Sequence, residues 1–163
     1  MHKTDDCHSI PAPGEGKRGE HGHLGYLLRQ AAGAFRLRLE RAMADLDVTQ
    51  PQFAVLTMLA NYPGLSNADL ARLALLTPQT VSVIVSNLDR NGSITRRPHS
   101  IHGRIQHIEL TDKGRVLLAR CREHVRTIEQ EITTGLSAGD EAVIRRWLVT
   151  VASPEKGKGA SHR

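Results

Sequence analysis

The amino-acid sequence predicts a mainly α fold carrying one small β-hairpin, and three observations lead there. Aliphatic residues recur at helical spacing over long stretches near both ends of the chain. Two short, capped apolar helices follow each other in the middle, and two runs of strand-forming residues, 94–98 and 104–110, flank a short basic connection. Composition agrees: hydrophobic residues make up 39% of the chain but aromatics only 3%, so the core has to be built from Leu, Val, Ile and Ala.

A length of 163 residues suits one domain with an appended arm. Residues 1–22, rich in Gly, Pro and charge, lack the apolar run of a signal peptide and are expected to form a flexible tail; 153–163 read the same way. Cys7 and Cys121 cannot build a disulfide framework, and no apolar stretch approaches the ~18 residues of a membrane span. A reducing cytoplasm, with no membrane association, is the expected setting. Twenty-two basic against 17 acidic residues leave a net charge of +5, which favours a polyanionic partner.

Taken in order, the first element covers about 23–46, where Leu24, Leu28, Phe35, Leu39, Ala42 and Leu46 form a stripe with Arg29, Arg36, Arg38 and Arg41 around it. Thr49-Gln50-Pro51-Gln52 reads as a capping box with proline in the first turn, opening a helix through Phe53, Val55, Leu56 and Leu59 that ends at Tyr62-Pro63-Gly64. Ser66, with Asp69 three places on, opens a short helix containing Leu70, Leu73 and Ala74. Across a tight Leu75-Leu76-Thr77 junction, Thr77 caps and Pro78 begins the next, over 77–91. Two short helices joined this way make a helix-turn-helix.

In that second helix Val81, Ile84, Val85 and Leu88 form one buried stripe, leaving Gln79, Thr80, Ser82, Val83, Ser86 and Asn87 on or near the other face. Gly92 ends it. The two strand runs that follow are joined by His99-Ser100-Ile101-His102-Gly103, and Pro98, unable to donate to a ladder, ends the first strand or holds it to an edge. Thr111 caps a further helix from near Asp112 to about Thr134 through Leu117, Cys121, Val125, Ile128 and Ile132. Residues 137–140 then restart a last one, with Val143, Trp147, Leu148 and Val151 on one side. Helices outside the central module, about 48–112, need something to bury against. A second copy of the chain about a two-fold axis supplies it, so the helices at about 23–46 and 112–152 are expected to form a dimerisation arm.

Chemistry points to nucleic acid. The outer face of the 77–91 helix is polar and nearly uncharged, and Gln, Asn, Ser and Thr can donate to and accept from base edges. From Arg90 to Ile108 there are four arginines, three histidines and no acid, the charge expected of an element that follows phosphates.

The run Leu70-Ala71-Arg72, then Thr80-Val81-Ser82 to Leu88-Asp89-Arg90-Asn91-Gly92, then Arg96-Arg97-Pro98, His102-Gly103-Arg104 and Leu110-Thr111-Asp112-Lys113-Gly114 resembles the MarR family of winged helix-turn-helix transcriptional regulators. The resemblance spans roughly 24–152, as one domain at 23–152. It implies a homodimer built from the terminal helices, and a crevice between the scaffold helix opened at Thr49 and the arm where small ligands bind and weaken DNA affinity. Two departures stand out. Val83 occupies a place where relatives have a polar or basic residue, which leaves the base preference open, and Ser93 replaces a larger apolar residue, which suggests looser packing of the wing.

The expected function is therefore a sequence-specific regulator of transcription that binds a palindromic site on double-stranded DNA, a repressor released by a small-molecule effector. Gln79, Thr80, Ser82, Val83, Ser86 and Asn87 are expected at the major groove, with Arg104 in the flanking minor groove. Ser66, Arg90, Arg96, Arg97 and His102 are expected near phosphates. Arg29, Arg36, Met58 and Tyr62 are the candidates to line an effector crevice. His99 and His102 flank the wing tip, where their protonation would tighten binding below about pH 6.5; the alternative is neutral histidines that simply form the turn.

Other readings share the fold. Cys7 would make the chain a redox sensor, and His2, Cys7, His8, His21 and His23 a metal sensor, although their spacings match no closed site and no metal or cofactor is expected. A basic wing meeting an acidic partner would make it a protein-interaction module. A sensor that binds its ligand without altering DNA occupancy is a further alternative. No nucleophile elbow, P-loop, HExxH or dinucleotide fingerprint is present, so catalysis is not expected.

Overall fold

In the computed structural model, which describes residues 10–98 and 106–153, every helix after the first begins where the sequence places a cap. Helix α1 spans Leu24–Ala42, α2 Gln50–Asn61, α3 Asn67–Ala74 and α4 Pro78–Arg90. Strands β1, Ile94–Pro98, and β2, Gln106–Leu110, pair antiparallel; α5 runs Asp112–Thr133 and α6 Ala138–Ala152. The Thr49 hydroxyl accepts from the Gln52 amide while the Gln52 side chain accepts from the Thr49 amide, and Ser66 with Asp69 and Ser137 with Asp140 repeat this reciprocal pair. Thr77 Oγ1 accepts from the Thr80 amide at 3.1 Å, and Thr111 Oγ1 does the same for Gly114 at 3.1 Å.

One element is shorter than expected. Helix α1 stops at Ala42, and a 3-10 turn at Ala44–Leu46 leads to Asp47 in the left-handed region at φ 53°. Leu46 is nevertheless buried, as it would be had the helix continued, so the apolar spacing runs straight through the break.

The chain divides into two units within α5, at Val125 and Arg126. The first contains one aliphatic cluster. Val55, Leu56 and Leu59 of α2, Leu70 and Ala71 of α3, Val81, Ile84, Val85 and Leu88 of α4, the sheet residues Ile94, Ile108 and Leu110, and Leu118 of α5 all belong to it. Burying each of these larger side chains stabilises by about 1.5–3 kcal/mol, so the cluster fixes where α4 lies. Between α3 and α4 the chain bends by 113°. Leu75 takes a left-handed conformation at φ 52° there, and the Leu76 amide donates to the Ala71 carbonyl at 3.0 Å. Strand β2 is held on both sides. One side pairs with β1; on the other, the Ile108 amide donates to the Leu65 carbonyl at 3.0 Å and the Gly64 amide donates to the Ile108 carbonyl at 3.2 Å. Gly64 sits at φ 81°, which only glycine adopts without strain.

The second unit holds the end of α5 and all of α6. No residue of α6 is buried, and Val143, Ile144, Trp147, Leu148, Val149 and Val151 are exposed. Among the described residues no single helix is long and apolar enough to cross a membrane.

The α3 cap has a pH signature. Hydrogen bonds from the Ser66 hydroxyl and amide, with Arg72 adding to them, hold the Asp69 carboxyl below its usual range. A depressed value stabilises the fold above the unfolded carboxylate range, and the gain is lost as the pH falls through the folded value. Asp69→Ala is expected to lower stability by about 0.5–1.5 kcal/mol at pH 7 in urea unfolding. That gap should close as the pH drops below the ordinary value of 3.8; a gap unchanged in acid would refute the assignment.

Candidate nucleic-acid interface

Helix α4 is two-sided. With Val81, Ile84, Val85 and Leu88 committed to the core, Gln79, Thr80, Ser82, Val83 and Ser86 are turned outward and exposed, while Asn87 is half-buried at the margin. Val83 is 61% exposed, a lone branched apolar side chain on an otherwise polar face. Arg90 is exposed in the last turn, where a cation also suits the helix dipole.

The step from α4 into the wing is fixed by backbone. The Gly92 and Ser93 amides donate to the Asp89 and Leu88 carbonyls, each at 2.9 Å. The Ser93 carbonyl accepts from the Thr111 amide at 3.1 Å, and the Gly92 carbonyl from the Thr111 hydroxyl at 2.7 Å. Any side chain at Gly114 would run into the Ser93 carbonyl, so glycine is what lets α5 approach this closely. Ser93 is fully buried and its backbone is held on both sides, while its hydroxyl has no partner among the described residues and it lines a cavity of about 300 Å³ with Leu88, Asn91, Lys113 and Leu117.

The wing strands separate the two arginines that lie side by side in sequence. Ile94 lies opposite Leu110 and Arg96 opposite Ile108, so by strand alternation Arg96 shares the inward face with buried apolar residues. Its side chain is 30% exposed, with Nε 2.9 Å from Asp89 Oδ2 but out of line for a hydrogen bond, so the contact is an ion pair. Arg97, on the outward face, is 70% exposed and lies 3.6 Å from Glu109 Oε2. His102 and Arg104, like His99, Cys7, His2 and His8, lie outside the described residues. At the start of α3 the Ser66 amide and hydroxyl both donate to Asp69 Oδ2, at 3.1 and 2.6 Å, so the chain's own carboxylate takes part of the amide end expected to face phosphate.

The four effector-crevice candidates do not converge. Arg29 and Arg36 line a crevice of about 630 Å³ along α1 together with Pro13, Arg18, Leu27 and Leu37. Met58 packs against the core, and Tyr62 is 54% exposed at the end of α2. Cys121 is fully buried on α5, and burial pushes its thiol up. No group of three or more His, Cys, Asp or Glu that could hold a metal ion occurs among the described residues. Sequence reasoning passed over Asp89 and Glu109; alternation along 94–97 was the signal that would have placed Arg96 inward.

Residues 46–105 match the model of the MarR family. The HTH-type transcriptional repressor Rv2887 of Mycobacterium tuberculosis is 34% identical over 130 residues, which cover 80% of this chain and 94% of that protein. This chain belongs to the MarR family. Solved structures agree. The transcriptional repressor CouR bound to a 23-mer DNA duplex matches with a TM-score of 0.76 at 27% identity, over 85% of this chain and 96% of that one. Rv2887 in complex with DNA matches at 0.66 and 32% identity over 81% and 99%, and in complex with p-aminosalicylic acid at 0.65 and 32% over 81% and 100%. In this MarR-family chain α3 and α4 are the helix-turn-helix, and β1 and β2 the wing.

Proposed function

We propose that the chain is a homodimeric repressor of transcription that reads a palindromic site on double-stranded DNA and is released by a small-molecule effector. The observation that carries this reading is the outer face of α4, polar, uncharged and exposed opposite a fully buried stripe. Gln79, Thr80, Ser82 and Ser86 supply donors and acceptors to the major groove, with Asn87 at the margin, while Arg90, Arg97 and Arg104 follow the backbone and the minor groove beside it. Repressors of the same family solved with DNA, CouR and Rv2887, support the partner, and Rv2887 with p-aminosalicylic acid supports an effector, with small aromatic acids the first to try. Such a protein works in the cytoplasm, where the DNA is.

The second copy is supported by α6, whose Val143, Trp147 and Leu148 are left facing solvent in one chain. Large apolar patches of this kind mark association surfaces. By light scattering the protein is expected at twice its 17.9 kDa chain mass, and Trp147→Asp at the chain mass; a wild-type protein that stays single would remove the dimer.

A mobility shift with duplexes selected from a random pool tests the DNA reading, with affinity expected to fall steeply as salt rises. Recovery of no duplex would overturn it. Val83 adds a chemical detail, because an apolar side chain in the major groove is complemented by the thymine methyl group. Selected duplexes rebuilt with uracil for thymine are expected to bind wild type more weakly by about 1 kcal/mol and Val83→Ser without that loss. Equal sensitivity of the two proteins would take Val83 out of the readout.

A further inference from the structure

Resting on the DNA reading, we infer that Arg96 and Asp89 form a clamp that sets the angle of the wing against the reading helix, so that Arg96 is a positioning residue and not a phosphate contact. Three observations carry this. Asp89 belongs to the last turn of α4 and Arg96 to β1, so their 2.9 Å pair joins the two elements that face DNA. Arg96 lies on the inward side of the sheet with Ile94 and opposite Ile108, both buried. Its guanidinium thus lies on the face of the wing turned away from Arg97, the arginine that is 70% exposed.

The backbone junction at Ser93 fixes where β1 starts and the Leu65 bridge holds β2 at Ile108, but the hairpin beyond that level can still swing about them. A half-buried ion pair three residues into the strand opposes that swing. Exposed ion pairs contribute little to stability, and the clamp needs to contribute little: its role is to choose one wing orientation among several of similar energy. It also accounts for an acid beside a surface expected to meet phosphates, where a free carboxylate would repel them.

The test turns on sign. Asp89→Asn removes a negative charge near DNA, so simple electrostatics calls for tighter binding, whereas loss of a clamp calls for weaker. The probe is a duplex recovered from a random-sequence pool by the wild-type protein, titrated over a range of salt concentrations. Asp89→Asn and Arg96→Gln are each expected to weaken binding about three- to tenfold, with the double variant no weaker than either single one. The salt slope should stay at the wild-type value in Arg96→Gln, whereas loss of a phosphate contact would lower it by about 1. The charge-swapped pair Asp89→Arg with Arg96→Asp, expected to recover part of the loss, guards against a variant that simply misfolds. Binding by Asp89→Asn equal to or tighter than wild type, a lowered slope in Arg96→Gln, or additive losses would overturn the clamp. If the wild type recovers no duplex, the DNA reading itself fails, which is a different result from wild-type binding with variants that behave as phosphate contacts.

Discussion

The arrangement depends on the burial of one stripe. Val81, Ile84, Val85 and Leu88 are buried among residues from α2, α3, the sheet and α5. A helix can hide only about one face, so committing that face to the core leaves Gln79, Thr80, Ser82, Val83 and Ser86 outward. Apart from Thr80, whose hydroxyl bonds that of the Thr77 cap, that outer face takes no part in placing α4, so it is free to vary while the stripe beneath keeps its position.

The wing depends on backbone more than on side chains. Ser93 is bonded through both its amide and its carbonyl, Gly114 lets α5 approach the Ser93 carbonyl, and β2 is tied to Leu65 as well as to β1. The α3 cap plays the same part for the first helix of the pair, with Asp69 satisfying donors at the helix end that would otherwise be orphaned. Charges are then distributed over that frame, and one pair of them, Asp89 with Arg96, ties the wing to α4 within it. Of the two adjacent arginines, one turns inward to Asp89 and the other outward, because strand alternation leaves no other choice.

Much of this was legible in the sequence. Caps at Thr49, Ser66 and Ser137 mark helix starts, since a hydroxyl followed by a carboxylate or amide at fixed spacing has one structural use, and Thr77 before Pro78 marks another. The stripe in α4 and the strand runs were equally clear. Four features were not. The end of α1 was hidden because Leu46 is buried from a 3-10 turn as it would be from a helix. The way the Ser93 backbone is held was hidden because it depends on Thr111 and Gly114, distant in sequence. The partners of the wing's arginines were hidden because a window from Arg90 to Ile108 stops one residue short of Asp89 at one end and of Glu109 at the other, the two acids that pair with Arg96 and Arg97. The placing of Met58 in the core and Arg29 beside a different crevice depends on which side of a helix meets its neighbour, and amphipathic spacing alone does not name the neighbour.

The most direct measurement of a two-headed reader is a hydroxyl-radical footprint of the wild-type protein on a duplex that it selects. Two α4 helices related by a two-fold axis should leave two symmetric protected patches with centres about 10–10.5 base pairs apart, or a multiple of that turn. A single unsymmetrical patch, or uniform protection without a centre of symmetry, would contradict it.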